Sequence, residues 1–231
     1  MKSVLKKIKL AGLALTGALC LTACLNSDDE SQQTLENKAL GAFINASPNS
    51  PALRFYADGI YINTNPANYS QYFGYIPFEA GTRELIVRAN NENLDTLMLN
   101  MEEHKRYSIF AVNHFENVEL VAYPDDATMP PTGKALIRFI QLSPDAPGLR
   151  VSIEGEESLG VFNYKQSSGF MAVNETIHKD IYLIDETTQD TLVTKEIELT
   201  NGKIYSIFSK GFLNTETENQ QLDVQIIPVF L

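Results

Sequence analysis

Side chains that could perform catalytic chemistry are few in this sequence and stand far apart. The three histidines are His104, His114 and His178, and none of them belongs to a paired-histidine motif at metal-ligand spacing. Without such a motif we expect all three to lie at the surface. No Gly-x-Ser-x-Gly element surrounds a serine, and no glycine-rich phosphate loop is present. We therefore predict a protein that is not an enzyme and that binds neither a cofactor nor a metal.

Cys24 is the residue with the most definite chemical prediction. Residues 21–24 read Leu-Thr-Ala-Cys, which resembles the bacterial lipobox, where the cysteine thiol receives diacylglycerol and the chain is cut before it. Residues 1–9 contain four lysines and residues 10–19 are apolar, in the order of a secretory signal. The apolar run is shorter than the roughly 20 residues of a transmembrane helix. We predict a signal peptide over residues 1–23 and a lipid anchor on Cys24, with an ordinary signal peptide as the alternative.

The residues that follow the predicted cleavage site bear on the cellular location of the protein. Leu25 stands where an aspartate would resemble an inner-membrane retention signal, so we expect a lipid-anchored envelope protein in the outer membrane, on either side. Residues 26–30 resemble acidic export tags, although a solvated tether over residues 24–40 explains them better. A coil of that length spans only about 20–24 Å on average, which keeps the folded part near the bilayer.

Cysteine content and charge exclude some classes of protein. The chain has two cysteines, and cleavage would remove Cys20, so no disulfide framework is available and an apolar core must hold each domain. The formal net charge is −11 and becomes −15 when residues 1–23, with four lysines and no acid, are removed. Nucleic acid is therefore not an expected partner, because phosphate neutralisation needs clustered basic side chains. Calcium stays open as an alternative, although no spaced calcium loop is present.

The sequence from residue 41 onward reads twice. Residues 43–54 (FINASPNSPALR) align with residues 139–150 (FIQLSPDAPGLR) at an offset of 96 residues. Tyr-Ser-Ile-Phe then recurs identically at residues 107–110 and 205–208. Matches in the same order indicate two copies of one domain. We predict repeats over residues 41–126 and 135–231, joined by a linker over residues 127–134 that contains paired prolines.

Apolar residues within each copy alternate with a period of two, as in half-buried strands. In residues 82–88, for example, Leu85 and Val87 alternate with Glu84, Ile86 and Arg88. Asp-Gly at residues 58–59 and Asn-Gly at residues 201–202 predict hairpin turns. Seven or eight short strands in about 95 residues predict an all-β fold, namely two tandem antiparallel β-sandwiches of immunoglobulin or transthyretin type.

Each copy also carries a Ser-Pro-x-x-Pro element, at residues 47–51 and 143–147. Proline fixes φ and removes a backbone donor, so we expect these elements to form bends between strands. In tandem, followed by the Asp-Gly hairpin and a Pro-Pro-x-Gly-Lys linker, they resemble the uncharacterised domain family DUF 4397 over residues 41–231. The resemblance implies an exported or surface protein and no established common activity.

Two departures from that family limit what the resemblance implies. The family usually has histidine three residues before the first proline of the Ser-Pro-x-x-Pro element. Asn45 and Gln141 occupy these positions in this chain. It often has an acid where this chain has Arg54 and Arg150. Any role that rests on that histidine or that acid is therefore not carried over.

Residues 68–78 (NYSQYFGYIPF) concentrate aromatic side chains. In a regular strand, Tyr69, Phe73 and Tyr75 would face one side and Tyr72 the other. The chain has no tryptophan, so tyrosine would supply any stacking surface for a sugar ring. Core packing explains the same residues and is the preferred interpretation. Serines replace Tyr72 and Phe73 in the aligned stretch of the second copy, which argues for partial exposure in the first.

Three functional hypotheses follow from these observations. The first is a non-catalytic cell-envelope lipoprotein that acts as a structural or protein-interaction module. The second is a carbohydrate- or peptide-binding surface lipoprotein that uses Tyr69, Tyr72, Phe73 and Tyr75. An enzyme of unrecognised type is the least supported. The expected partners are the membrane, through lipid on Cys24, and an envelope protein or glycan.

Overall fold

The computed structural model describes residues 38–230. The predicted signal peptide, Cys24 and all but the end of the predicted tether lie outside the described residues. From Lys38 onward the chain is built of β-strands, with short 3₁₀ helices at Phe115–Asn117 and Glu218–Gln220. None of the helices within residues 38–230 has the length and apolar character needed to cross a membrane.

Eight strands form each repeat, as the sequence predicted. Those of the first repeat are β1 (Lys38–Asn45), β2 (Arg54–Ala57), β3 (Ile60–Tyr61), β4 (Tyr72–Glu79), β5 (Gly81–Ala89), β6 (Glu92–Met101), β7 (Arg106–Val112) and β8 (Glu119–Pro124). Those of the second are β9 (Lys134–Gln141), β10 (Leu149–Ile153), β11 (Gly160–Phe162), β12 (Met171–Asn174), β13 (Thr176–Asp185), β14 (Thr191–Leu199), β15 (Ile204–Lys210) and β16 (Asp223–Val229). β1 begins three residues before the expected repeat boundary, because Lys38 pairs in register with Glu79 of β4.

Each repeat is a sandwich of two four-stranded sheets, and the strand order is the same in both repeats. The sheets β4-β1-β7-β8 and β12-β9-β15-β16 face each other and are called the inner sheets. The outer sheets are β3-β2-β5-β6 and β11-β10-β13-β14. All pairings are antiparallel except β1 with β7 and β9 with β15, which are parallel. The predicted pair of β-sandwiches is therefore confirmed, with one parallel pair inside each.

Alternating side chains fill a core between the two sheets of each repeat. In β5, Leu85 and Val87 are fully buried, whereas Glu84 and Arg88 point away from the core, as the sequence predicted. Phe43 and Phe55 meet in the first core with ring centroids 5.4 Å apart. Burial of such rings is the main stabilising contribution in a domain that has no disulfide within its described residues.

Turn residues were only partly informative about strand pairing. Asp58 and Gly59 both have positive φ and close the β2–β3 hairpin, so that prediction is confirmed. The hairpin predicted at Asn201 and Gly202 is wrong, because β14 lies in an outer sheet and β15 in an inner sheet. Gly202 supplies its positive φ to a turn that changes sheets instead.

The Ser-Pro-x-x-Pro elements carry the chain from an inner-sheet strand to an outer-sheet strand, which confirms the predicted bends. Ser47 Oγ donates a hydrogen bond to the carbonyl of Asn113 at 2.7 Å. Asn45, at the first position where the resemblance had suggested histidine, is fully buried and donates from Nδ2 to the carbonyl of Ala67 at 2.9 Å. Asn45 Oδ1 also accepts a hydrogen bond from the amide of Ser47 at 3.1 Å, so Asn45 supports the first bend. Gln141 is buried at the second such position, where its Oε1 accepts from Ser209 Oγ at 3.3 Å.

The two inner sheets pack face to face and give the protein four layers. An apolar cluster at this boundary draws on both repeats, including Ile44 and Phe110 from the first and Ile140 and Phe208 from the second. These are equivalent positions of the two copies, so the repeats meet through the same face of the same sheet. An interface of this kind resembles the isologous contact of a symmetric dimer, formed here within one chain.

Candidate functional site at the boundary between the repeats

The sequence suggests four aromatic residues as a stacking surface for a ligand: Tyr69, Tyr72, Phe73 and Tyr75. All four lie at or near the boundary between the repeats, and each is partly buried. Tyr72 packs on the shared apolar cluster and Phe73 packs into the core of the first repeat. Tyr75 contacts a small cluster formed mainly by the second repeat. Tyr69 lies in the turn before β4 and lines a groove. The four side chains therefore do not form one continuous surface.

A bulge in β4 explains why the predicted facing of these residues is partly wrong. The pairing of β4 with β1 shifts between Gly41 and Phe43, because β4 carries one extra residue there. The extra residue reverses the alternation of side chains beyond it. Tyr75 therefore faces the second repeat with Tyr72, whereas Phe73 faces the first core.

A buried ion pair joins the two repeats beneath Tyr75. Arg138 of β9 and Asp125, which follows β8, are bonded through Nη2 and Oδ1, and their side chains are 2% and 0% exposed. Arg138 also donates from Nη1 to the carbonyl of Pro124 at 2.8 Å. The hydroxyl of Tyr75 donates to Oδ2 of Asp125 at 2.5 Å. The Asp125 carboxylate is thus bound by side chains of both repeats, Tyr75 of the first and Arg138 of the second.

Two serines at equivalent positions of the repeats complete this network. Arg138 donates from Nε to Ser206 Oγ at 2.8 Å and from Nη2 to Ser108 Oγ at 3.0 Å. Ser108 Oγ in turn donates to the carboxylate of Asp125 at 3.0 Å. Buried charges are tolerated only when paired and hydrogen-bonded in this way. The network requires one relative position of the two inner sheets, so it fixes the repeats as one unit.

Arg138 was not selected from the sequence as a site residue, although a signal for it was present. It is a charged residue inside the apolar run of residues 135–140, and β9 is buried along almost its whole length. A buried arginine of this kind needs an acidic partner. The partner, Asp125, could not be chosen among 29 acidic residues without the fold.

Tyrosines at the boundary hold their protons strongly. Burial raises the pKa of Tyr75, and the neighbouring Asp125 carboxylate raises it further. Burial also raises the pKa of Tyr69, Tyr123 and Tyr164 well above the ordinary value. All four phenols therefore stay neutral at physiological pH and act through packing and hydrogen bonding.

A groove of about 820 Å³ opens at one side of the boundary, and both repeats line it. Its first-repeat wall includes Ser50, Asn68 and Tyr69, and its second-repeat wall includes residues 192–194, Lys210 and residues 218–223. The lining is mostly polar side chains with a few apolar ones. The groove therefore suits a polar, extended ligand more than an apolar one.

Three charged side chains line this groove, those of Lys210, Glu218 and Asp223, and Asp223 accepts hydrogen bonds of 2.8 Å from Lys195 Nζ. Lys210 Nζ donates to Ser70 Oγ at 2.8 Å, lies 5.0 Å from the ring centre of Tyr69, and is 3.9 Å from an oxygen of Asp223. Burial lowers the pKa of Lys210, and Asp223 opposes that shift. The sequence offered no signal for either residue, because they meet only when β15 and β16 pair.

Tyr69 has a counterpart in the second repeat that bears on its role. Lys165 Nζ lies 5.1 Å from the ring centre of Tyr164, as Lys210 does over Tyr69. Both tyrosine hydroxyls are buried without a hydrogen-bond partner among residues 38–230. Tyr69 is therefore first a packing residue of the boundary, although it also contributes to the lining of the groove.

The histidines do not gather at this site or elsewhere. Within the described residues, no three His, Cys, Asp or Glu side chains are grouped closely enough to hold a metal ion. His104 and His178 are exposed, as predicted. His114 is partly exposed, and its ring stacks on Phe212 of the second repeat with centroids 4.4 Å apart.

Comparison with known proteins gives one informative match, which is to a family of protein domains. No curated protein matches this chain at a significant level. A carbohydrate-binding module of family CBM26 from Eubacterium rectale Amy13K, solved with maltoheptaose, is 8% identical and covers 83% of this chain and 98% of its own, with a TM-score of 0.27. That score is too low to carry an argument. Residues 41–152, which span the first repeat, the linker and the first strands of the second repeat, match the family described as Domain of unknown function (DUF4397).

Proposed function

We propose that the protein is a non-catalytic lipoprotein of the cell envelope, most simply of the outer membrane, and that it acts as a protein-interaction module. Lipid on Cys24 would hold it at the membrane, as the sequence of residues 1–24 predicts. The observation that carries the interaction role is the groove, because residues of both repeats line it. A segment bound there would contact the two repeats at once.

The boundary supports this role by making the groove rigid. A shared apolar cluster and the buried Arg138–Asp125 pair hold the two groove walls in a fixed relation. A preformed binding surface loses little conformational entropy when its partner binds. A flexible pair of domains on a linker would not offer this advantage.

The edge of the outer sheet favours a polypeptide partner. β14 is the last strand of the sheet β11-β10-β13-β14, and its residues 192–194 line the groove. An edge strand presents backbone groups that an incoming strand can pair with. The groove thus combines the edge strand β14 with the charged side chains of Lys210, Glu218 and Asp223.

A pull-down from detergent-solubilised envelope, with the full chain as bait, tests the proposal. Asn219→Trp places a large side chain in the groove from the exposed 3₁₀ helix Glu218–Gln220. Asn117→Trp is the matched control, at an exposed position of the other 3₁₀ helix. We expect a protein that is captured by wild type and by Asn117→Trp but lost with Asn219→Trp. Equal capture by all three baits would contradict a role for the groove.

A carbohydrate- or peptide-binding lipoprotein that uses residues 69–75 is the second proposal. The observation in its favour is that Tyr69 is one of the residues that line the groove. Tyr72, Phe73 and Tyr75 pack against protein, so only Tyr69 and its neighbours Asn68 and Ser70 would meet a ligand there. Binding of neutral oligosaccharides that is lost in Asn68→Ala but retained in Asn117→Ala would favour this second proposal.

A further inference from the structure

We infer that the outer sheet of the first repeat carries a binding site for the carboxylate of an acidic sugar, built on Arg54 and Arg88. The residues that line this site and those that line the groove do not overlap, although Ser50 of the groove and Pro51 of the site are neighbours in sequence. The site is therefore separate from the proposed protein-interaction groove, and neither depends on the other.

Arg54 and Arg88 lie directly opposite each other in the sheet, so their positive charges repel. Arg54 of β2 and Arg88 of β5 are direct cross-strand partners in an antiparallel pair. Like charges directly opposite each other destabilise a sheet. No carboxylate within residues 38–230 lies within 4.0 Å of either guanidinium. Their polar contacts are neutral: Arg88 Nε donates to Asn93 Oδ1 at 2.6 Å and Arg54 Nη2 to the carbonyl of Thr64 at 3.5 Å.

The second repeat shows that the fold does not require this arrangement. Arg150 occupies the position equivalent to Arg54, and its cross-strand partner is the apolar Ile184. Arg150 Nε lies 3.3 Å from a carboxylate oxygen of Glu186, and Nη2 donates to the side chain of Gln189. The second copy thus has one arginine and neutralises it, whereas the first has two and neutralises neither.

A shallow cavity of about 310 Å³ lies over the arginine pair. Arg54, Arg88, Tyr56, Asn90 and Asn91 supply its polar lining, and no acidic residue takes part. Its volume is at the lower end of the range for small-molecule sites, which suits one sugar unit. In a chain with a net charge of −11, two unneutralised cations lining one cavity point to an anionic ligand.

Guanidinium groups hold carboxylates through paired hydrogen bonds in a plane, which gives both strength and orientation. The guanidinium of Arg88 lies 4.4 Å from the ring centre of Tyr56, which holds it in place over the sheet. Tyr61, directly opposite Tyr56 on β3, is 55% exposed, and the Arg54 guanidinium lies over its ring, 6.0 Å from the ring centre. A sugar in the cavity would therefore meet the arginines through its carboxylate, with Tyr56 in the lining beside them.

The position of the site in the sheet argues against an acidic peptide. β2 and β5 are the two interior strands of the sheet β3-β2-β5-β6, so their backbone groups are already paired. Peptides recognised by strand addition need an open edge, which this face lacks. Glu84 faces the same side of β5, but it lies about 13 Å along the strand from Arg88 and leaves the cavity free of negative charge.

Isothermal titration of the full chain in neutral detergent micelles tests the inference. The probes are an oligogalacturonate, the same oligomer with its carboxylates methyl-esterified, and inorganic phosphate. We expect wild type to bind only the oligogalacturonate well, and added salt to weaken that binding. Arg54→Gln and Arg88→Gln should each weaken it about tenfold, and the double variant should abolish it.

Arg150→Gln is the matched control, because it removes the equivalent arginine of the second repeat. It should leave binding unchanged, and all variants should keep the wild-type circular dichroism spectrum, since these side chains lie outside the cores. Absence of oligogalacturonate binding by wild type would overturn the inference. Equal weakening by Arg150→Gln would overturn the site, and equally tight binding of phosphate or of the methyl ester would overturn the acidic-sugar assignment.

Discussion

Phe110 of the first repeat and Phe208 of the second pack edge to face across the boundary, with ring centroids 5.1 Å apart and planes at 73°. Both rings are fully buried, and both come from the Tyr-Ser-Ile-Phe stretch that the two copies share. The two equivalent phenylalanines, one from each repeat, thus bury each other. The tandem copies therefore behave as the two halves of one folded unit.

Truncation of one of these rings should weaken both repeats together. We expect Phe208→Ala to lower the free energy of unfolding by about 3–5 kcal/mol, the range for large-to-small aromatic changes in cores. Denaturant unfolding followed by circular dichroism should still show one transition, shifted to lower denaturant. Phe230→Ala is the control, since Phe230 is 57% exposed and should change stability little. Two separate transitions, one of them at the wild-type midpoint, would contradict a shared unit.

The buried ion pair should show strong coupling in a double-mutant cycle. Arg138→Met leaves Asp125 buried without its counter-charge, and removal of one partner of such a pair costs about 3–5 kcal/mol. Adding Asp125→Asn removes the uncompensated charge, so we expect the double variant to recover at least about 1 kcal/mol. The measurement is the free energy of unfolding of the four proteins. Additive losses without any recovery would mean that the two charges do not interact in the folded state.

Alkaline pH should unfold the protein, because its buried tyrosines give up their protons less readily in the folded state than in the unfolded state. Burial raises the pKa of Tyr69, Tyr75, Tyr123 and Tyr164 in the folded state. Below pH about 10 both states keep the phenolic protons, so these groups add no pH dependence. Above it the unfolded state loses protons first, and stability falls as pH rises. Phenolate absorbance should therefore include a cooperative step that coincides with loss of the β-type circular dichroism signal.

Tyr164→Phe gives the alkaline prediction a control. Its hydroxyl has no hydrogen-bond partner among the described residues, so the change should cost little at neutral pH. It removes one group that must ionise, so the loss of stability at alkaline pH should be smaller than in wild type. Smooth ionisation of all tyrosines without loss of structure would contradict the burial of the boundary phenols.

Neighbouring aromatics of β4 should differ in their contribution to stability. Phe73 packs into the first core, and Phe73→Ala should lower the free energy of unfolding by about 3 kcal/mol. Tyr72 is partly buried on the shared cluster and makes only a long hydrogen bond, 3.4 Å, to the carbonyl of Pro228. Tyr72→Ala should therefore cost less, about 1–2 kcal/mol. An unchanged stability with loss of glycan binding would instead support Tyr72 as an exposed platform residue.

The fold class and the repeat were predictable because their signals are local. Alternation in β5 and the Asp58–Gly59 turn each act within a few residues, and the copies then align by sequence alone. The boundary was not predictable, since Ile44 and Phe110 look like core residues whichever partner covers them. The bulge in β4 also escaped prediction, because strict alternation has no means of showing an extra residue.

The candidate site was less predictable than the fold. Of the four aromatic residues chosen from the sequence, only Tyr69 reaches the groove. Lys210 and Asp223 become neighbours through the pairing of β15 with β16, which no spacing in the sequence reveals. Chemistry that depends on contacts between distant strands can be read only from the assembled sheets.

Site-specific photo-crosslinking in intact cells tests the central proposal most directly. A photoreactive amino acid at Asn219 would lie in the groove, and one at Asn117 would lie on the 3₁₀ helix of the first repeat, outside the groove. An interaction module that uses the groove should give a discrete protein adduct from position 219 and none from position 117. The adduct should weaken when the chain carries Cys24→Ser, because the unanchored protein leaves its partner's membrane. Lack of any adduct from position 219, or the same adduct from both positions, would contradict the proposed function.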